Sequence, residues 1–295
     1  MREKALLVGA KRSLVSILTP AENDNGNLVV LIMNAGLIHH VGPSRLSVHL
    51  ARRLASDNIA SIRFDMSNIG DSSARADHLS VYDLVVMEPI EVMNDLQARG
   101  FKRFVLLGIC SGAYAAFHAA AKDPRVTGAI MINPEDLGGK KSADMSDAWA
   151  QRYWKKSLFS AKAWANLLTG KVNYRRLTAI IAGQAKKRLS PKRGVPESAA
   201  TASVQQILTD TARRTKLLFV SAQTDVSVEY VASLLNNLPT SAQNVSSAAQ
   251  GQKIRNIESM VIQDTDHLFT HTEAQKRLIN ALCLWLKTLE MAAVE

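Results

Sequence analysis

Gly108-Ile109-Cys110-Ser111-Gly112 stands between an apolar run, Phe104 to Ile109, and a stretch of small residues, Ala113 to Lys122. The first is predicted as a buried strand and the second as a helix. Glycines two before and two after one side chain are what a tight strand-to-helix turn requires, because a Cβ at either place meets crossing backbone. That spacing centres on Cys110; centring on Ser111 would put Ile109 and Ala113 in the glycine places. The turn also sets Cys110 at a helix N-terminus, where the dipole and free N–H groups favour a thiolate. A lone cysteine is more often a buried core residue, but the paired glycines favour the nucleophile.

Outward from this turn the chain alternates short apolar strands with amphipathic helices, the pattern of a parallel sheet buried between helical layers. Leu28 to Met33 is predicted as a strand. It ends at Asn34-Ala35-Gly36 and leads through Gly42-Pro43 to a helix capped by Ser44, with Leu46, Leu50 and Leu54 at helical spacing. Ile59 to Phe64 is the next strand, followed by a turn-rich Asn68-Ile69-Gly70-Asp71-Ser72 and a helix over 81–98. Asp123-Pro124 stops the helix after the cysteine, and Val126 to Ile132 is a further strand. From 135 to 208 the alternation breaks down, which predicts a helical insertion in a core made of 1–134 and 209–295. Strands then resume at Lys216 to Ser221 and Ile257 to Ile262, with helices over Ser227 to Asn236 and from Thr272, and a polar loop near 240–252.

A thiol nucleophile needs a base, and the base an orienting acid. Of seven histidines only His267 follows a late apolar strand, in Asp264-Thr265-Asp266-His267. Asp225, just after the strand ending near Ala222, is the acid in the order nucleophile, acid, histidine. Asp264 and Asp266 are read as turn caps, with Glu135 and Asp136 as reserve acids. For the oxyanion hole, the backbone N–H groups of Ser111 and Leu37 are the expected donors, which leaves the Ser111 hydroxyl incidental. His39, His40 and Arg45, in the same loop as Leu37, either reach an anionic substrate group or pair with Asp65 or Asp71.

Together these residues resemble the α/β-hydrolase superfamily over nearly the whole chain. Asn34-Ala35-Gly36 takes the place of its oxyanion segment, and Arg63-Phe64-Asp65 with Gly70-Asp71-Ser72 looks like the loop after the fourth strand. Within the superfamily the chain is most similar to bacterial serine-aminopeptidase-like hydrolases that accompany exosortase or biosynthetic gene clusters. Cysteine replaces the usual serine, as in dienelactone hydrolases and some carrier-linked thioesterases. The resemblance implies an α/β fold: a mostly parallel sheet with helices on both faces and the insertion as a lid.

The chain has 295 residues, 47% hydrophobic and 21% charged, which suffices for a large buried core. Two cysteines exclude a disulfide framework, and no run reaches the roughly 18–20 apolar residues of a membrane-spanning helix. No secretory leader is read at the N-terminus, so a cytoplasmic protein is expected. No H-E-x-x-H is present and the cysteines are far apart, so neither metal nor cofactor is expected. Haloalkane dehalogenation, which needs a carboxylate at the elbow, is not expected. The net charge of +10 is local: the 43 residues Gln151 to Arg193 hold twelve basic and no acidic residues, leaving −2 on the rest. Trp154, Leu158, Trp164 and Tyr174 give this stretch apolar stripes. Trp154 and Arg175 are therefore candidate substrate contacts beside His39, His40 and Arg45.

The expected activity is hydrolysis of a thioester or ester through Cys110, His267 and Asp225, with a small-molecule acyl substrate linked to coenzyme A or a carrier protein. The alternatives are an acyltransferase or cyclase with the same triad, and an inert protein that binds an acidic partner through the basic stretch. Nucleic acid is not the expected partner, because aromatic residues are poorly interleaved with the charges.

Overall fold

The computed structural model describes residues 2–22, 28–75, 79–138, 197–238, 246–248, 251–254 and 256–291. The chain divides into two compact units, Met1–Leu137 with Gln205–Glu295, and Gly138–Val204. Apart from the start of one helix, everything below belongs to the first. The basic stretch expected as a lid, with Trp154 and Arg175, lies outside the described residues.

Among the described residues ten strands form one sheet: β1 (Lys4–Val8), β2 (Leu14–Thr19), β3 (Leu28–Ile32), β4 (Ala60–Phe64), β5 (Arg103–Ile109), β6 (Val126–Ile132), β7 (Lys216–Ala222), β8 (Ser246–Ala248), β9 (Gly251–Ile254) and β10 (Ile257–Ile262). Their order is β1-β2-β4-β3-β5-β6-β7-β10-β9-β8. The six strands from β4 through β3, β5, β6 and β7 to β10 are mutually parallel, and antiparallel pairs close both edges. The central strands read as unbroken apolar runs because both sides are covered. On one side Val30, Ile32, Val105, Leu107, Ile130 and Val220 pack with helices α1 (Leu46–Ser56) and α6 (Thr272–Met291), through Leu50, Leu54, Leu278, Leu282 and Leu286. The alternate residues Val29, Leu31, Phe104, Leu106, Met131 and Phe219 are equally buried. Helix α3 (Ser111–Lys122) packs on β5 and β6, and α2 (Val81–Gln97) packs on α3.

The parallel core brings the chain out of β3, β4, β5, β6, β7 and β10 at the same end of the sheet, where such folds gather their functional side chains. Helices α4 (Glu197–Ala212) and α5 (Ser227–Asn236) complete the described elements. The central strands lie within one or two residues of the runs read from the sequence, and α5, α6 and β10 begin where expected.

Three local features differ from that reading. Ser44 does not cap α1: Pro43–Arg45 forms its own 3-10 turn with Ser44 left-handed (φ 46°), and Arg45 (φ 64°) holds the cap position without a side-chain hydrogen bond. The proline makes a turn before the helix, so the helix starts two residues after Ser44. The polar 240–252 stretch contains β8 and the start of β9, which extend the sheet edge by backbone pairing. Helix α4 runs unbroken across the insertion boundary expected at 208. Helix α2 carries Pro89 in its interior and is capped by Ser80, whose hydroxyl accepts the Asp83 N–H.

Candidate active site

The turn after β5 has the form the glycine spacing demanded. Cys110 adopts φ 56° and ψ −117°, the strained left-handed side of conformational space that a side chain enters only where its surroundings compel it. A Cβ on Gly108 would run into the Gly112 carbonyl, and one on Gly112 would lie 2.5 Å from the Asn34 carbonyl oxygen. Strand, helix and the loop after β3 thus meet at backbone distance, and Cys110 projects half-buried from the N-terminus of α3.

His267 reaches the same place from the turn after β10. Its Nδ1 lies 2.6 Å from Asp225 Oδ2, which leaves Nε2 as the ring nitrogen free to face Cys110. Cys110 Sγ, a His267 ring nitrogen and a carboxylate oxygen of Glu135 lie within 4.8 Å of one another. Burial pushes the Asp225 carboxyl up, but hydrogen bonds from Ser227 and His267 outweigh it and hold Asp225 below the usual carboxylate range. For His267 the hydrogen bond with Cys110 is the largest influence; with Asp225 it overcomes burial and raises the imidazole from 6.5 to about 9. An imidazolium between a carboxylate and a sulfur is the charge arrangement that activates a thiol.

The positions of these loops rest on two buried asparagines. Asn133, left-handed at φ 47° after β6, donates through Nδ2 to the His267 carbonyl at 2.7 Å. Its Oδ1 accepts the Ala222 N–H at 2.7 Å and the Ser227 hydroxyl at 3.2 Å. Asn34, after β3, donates through Nδ2 to the Ile38 carbonyl and to Asp65 Oδ1, both at 2.9 Å, and accepts the Met66 N–H at 2.8 Å. Each amide spends its hydrogen bonds joining chain segments that are distant in sequence, so removing one leaves buried partners unpaired.

The remaining sequence candidates fall into three groups. Ser111 follows Cys110 as the oxyanion reading requires, yet its hydroxyl is not incidental: it accepts the Gly36 N–H at 2.9 Å and so ties the loop bearing Leu37 to the start of α3. Leu37 itself is 67% exposed. His40 is committed to Asp65, through its main-chain N–H at 2.6 Å and its ring Nδ1 at 2.8 Å. Asp65 is fully buried and also accepts the Asp71 N–H. His40 therefore serves the loop framework, whereas His39 and Arg45 are exposed. Asp266 caps its own turn by accepting the Thr270 N–H at 2.8 Å. Asn133 has no motif to announce it; its one local signal is an asparagine between a strand and Pro134, where a left-handed residue suits the turn.

Comparison with known proteins agrees with this architecture. A family model described as "Alpha/beta hydrolase family" matches residues 32–281. No curated protein matches the chain in sequence. Among solved structures, an alpha-beta serine hydrolase homologue from Coxiella burnetii is 14% identical with a TM-score of 0.56, covering 97% of each chain. A dienelactone hydrolase from Anabaena variabilis is 13% identical with a TM-score of 0.58, again over 97% of each chain. A thermophilic esterase from Thermogutta terrifontis is 17% identical with a TM-score of 0.55, over 98% of this chain and 99% of that one. Among the described residues no helix is long and apolar enough to cross a membrane. With the family model spanning most of its length and the sheet order and elbow in place, the chain is an enzyme of the alpha/beta hydrolase family.

Proposed function

We propose that the protein hydrolyses acyl thioesters or activated esters through a Cys110–His267–Asp225 triad and a covalent thioester intermediate. The observation that carries this reading is Cys110 at the elbow beside His267, whose far nitrogen is held by Asp225 at 2.6 Å. The Cys110 thiolate attacks the acyl carbon, a C–S bond forms, and the carbonyl electron pair moves onto oxygen, where the N–H groups of Ser111 and Leu37 receive it. Collapse expels the leaving thiolate or alkoxide, which takes its proton from His267. Water then gives a proton to His267 as it attacks the thioester, and the acid departs with the thiol restored.

The nucleophile itself selects the donor. Forming a thioester is about isoenergetic from a thioester and uphill from an ordinary ester or amide, which favours thioesters, activated esters and strained lactones and disfavours peptides. The solved structures similar in fold include a dienelactone hydrolase and an esterase, in keeping with an acyl substrate. The twelve basic residues of 151–193 favour a donor carrying phosphate or an acidic carrier. That stretch lies outside the described residues, and its role as a lid, with Trp154 and Arg175 as contacts, is a proposal from the sequence.

Incubation with a panel of acyl thioesters followed by intact-mass measurement tests the reading. An acyl adduct on Cys110, absent from Cys110→Ala, is the expected result; a fully active Cys110→Ala protein would overturn it. Adding amine and alcohol acceptors separates hydrolysis from acyl transfer, since only a transferase diverts the acyl group from water. Charge reversal at Lys155, Lys156, Arg175 and Arg176 is expected to weaken phosphate-bearing donors and spare small neutral esters.

A further inference from the structure

Phe269, two residues after His267, holds a left-handed backbone at φ 54°, and Ser44 and Arg45, in the turn that follows the loop carrying Leu37, hold φ 46° and 64°. Glycine and asparagine are the usual occupants of this region; a bulky side chain such as that of Phe269 enters it only where its surroundings compel it. One side chain bonds to both strained stretches. Gln275, on α6, is 3% exposed. Its Nε2 donates to the Phe269 carbonyl at 2.9 Å and to the Ser44 carbonyl at 3.3 Å. Its Oε1 lies 3.0 Å from His49 Nδ1 on α1, where it accepts the ring N–H. Two carbonyls on one side and an N–H on the other admit a single orientation of the amide.

We propose that Gln275 is a positioning residue for the reaction, one that fixes the base turn after β10 against the loop after β3 so that His267 and the Leu37 N–H address Cys110 together. The role rests on the triad and oxyanion reading given above. His267 is held by Asp225 at its ring and by Asn133 at its carbonyl, and neither of those bonds reaches the loop that carries Leu37. Gln275 reaches both segments because α6 packs on α1, at whose start Ser44 and Arg45 stand. Without its amide the Phe269 carbonyl is left unpaired in a buried place, and the left-handed Phe269 loses a bond that opposes its relaxation. Relaxation at Phe269 turns the segment leading back to His267, so the loss is felt at the base although Gln275 touches neither substrate nor reacting atoms. Small displacements of a base are costly to rate, because proton transfer needs hydrogen-bond reach.

The test uses the full chain, an activated ester, and iodoacetamide labelling of Cys110 read by peptide-resolved mass spectrometry, all well below each variant's unfolding temperature. Gln275→Met keeps the size and removes both donors. It is expected to lower kcat at least tenfold with KM within threefold of the wild type, and to slow Cys110 labelling at pH 7 at least threefold. Gln275→Glu keeps the acceptor for His49 but not the donors, and the same loss is expected; wild-type kcat in either variant overturns the proposal. Asn280→Ala, on the same helix, gives up the Arg53 bond between α1 and α6 and controls for loosened helix packing. Its kcat is expected to stay within twofold, and a fall equal to that of Gln275→Met would refute a positioning role. Labelling reports His267 beside the thiol without any acyl transfer. A wild type inactive on every ester and thioester, with labelling still slowed in Gln275→Met, would therefore sink the hydrolase reading and keep Gln275 as the residue that positions His267; unchanged labelling would remove that role as well.

Discussion

The Ser111 hydroxyl accepts the Gly36 main-chain N–H at 2.9 Å, joining the residue after Cys110 to the loop that carries Leu37, the proposed second oxyanion donor. Distance between those two N–H groups governs how well a developing oxyanion is held. Ser111→Ala is expected to lower kcat on an activated ester about tenfold, in line with a net hydrogen-bond contribution of about 1 kcal/mol and tenfold in rate per 1.4 kcal/mol. Ser111→Thr, which keeps the acceptor, should recover much of the rate. Unchanged kcat in Ser111→Ala would show that the loop holds its place without this bond.

The two cysteines should react at different rates. Cys283 is 2% exposed, and burial with the neighbouring Asp57 carboxylate pushes its thiol up to about 11. Cys110 is half-buried at a helix N-terminus beside a histidine that holds its proton. At neutral pH iodoacetamide is expected to modify Cys110 at least tenfold faster, measured by peptide mapping over time, because the thiolate is the reactive form.

The raised His267 has a pH signature of defined sign. A group that binds its proton more tightly when folded stabilises the fold fully below its unfolded value of 6.5, and that contribution is lost as pH rises towards about 9. Thermal unfolding between pH 6 and pH 10 should show the wild type losing stability relative to His267→Gln across this window. The rate with a thioester should also fall through about pH 9, as His267 no longer lends a proton to the leaving group. Parallel unfolding curves would contradict the assignment.

Asn133→Ala should harm both the fold and the site. It strips the partners from the buried Ala222 N–H and the His267 carbonyl, at a cost of about 1–3 kcal/mol. Because the freed segments carry Asp225 and His267, the proposed acid and base, kcat should fall further than the lost stability explains at temperatures well below unfolding. A variant destabilised by this amount but fully active would restrict Asn133 to a structural role.

Gly112→Ala offers a check on the elbow itself. The new methyl would lie 2.5 Å from the Asn34 carbonyl oxygen, within a backbone junction that has no side chain to move aside. Activity is expected to be lost even where circular dichroism shows a folded protein, since the displaced segment leads directly to Gly36.

Much of this site is written in local pattern. The elbow is a five-residue pattern in which Gly108 is needed by the backbone of the same turn and Gly112 by the Asn34 carbonyl of the loop after β3. Asp225 and His267 follow apolar strands whose order in the chain restricts where they emerge. Such features depend on neighbours in sequence, which a linear reading sees. The sheet's edges were less legible: β8 and β9 are three- and four-residue strands within or beside a polar stretch, and Lys4–Val8 is only five residues long.

What the sequence by itself determined is the core of parallel strands, Cys110 as the residue at the turn, and the candidates for its acid and base. Only the tertiary structure decided how polar atoms far apart in the chain are shared. It gave the Ser111 hydroxyl to Gly36, His40 to Asp65 and Asn133 to His267, and it brought Glu135 within 4.8 Å of the thiol. The reason is physical: apolar periodicity follows from an element's own geometry, whereas a buried hydrogen bond has many possible partners in the sequence and acquires one only when packing removes water from the rest.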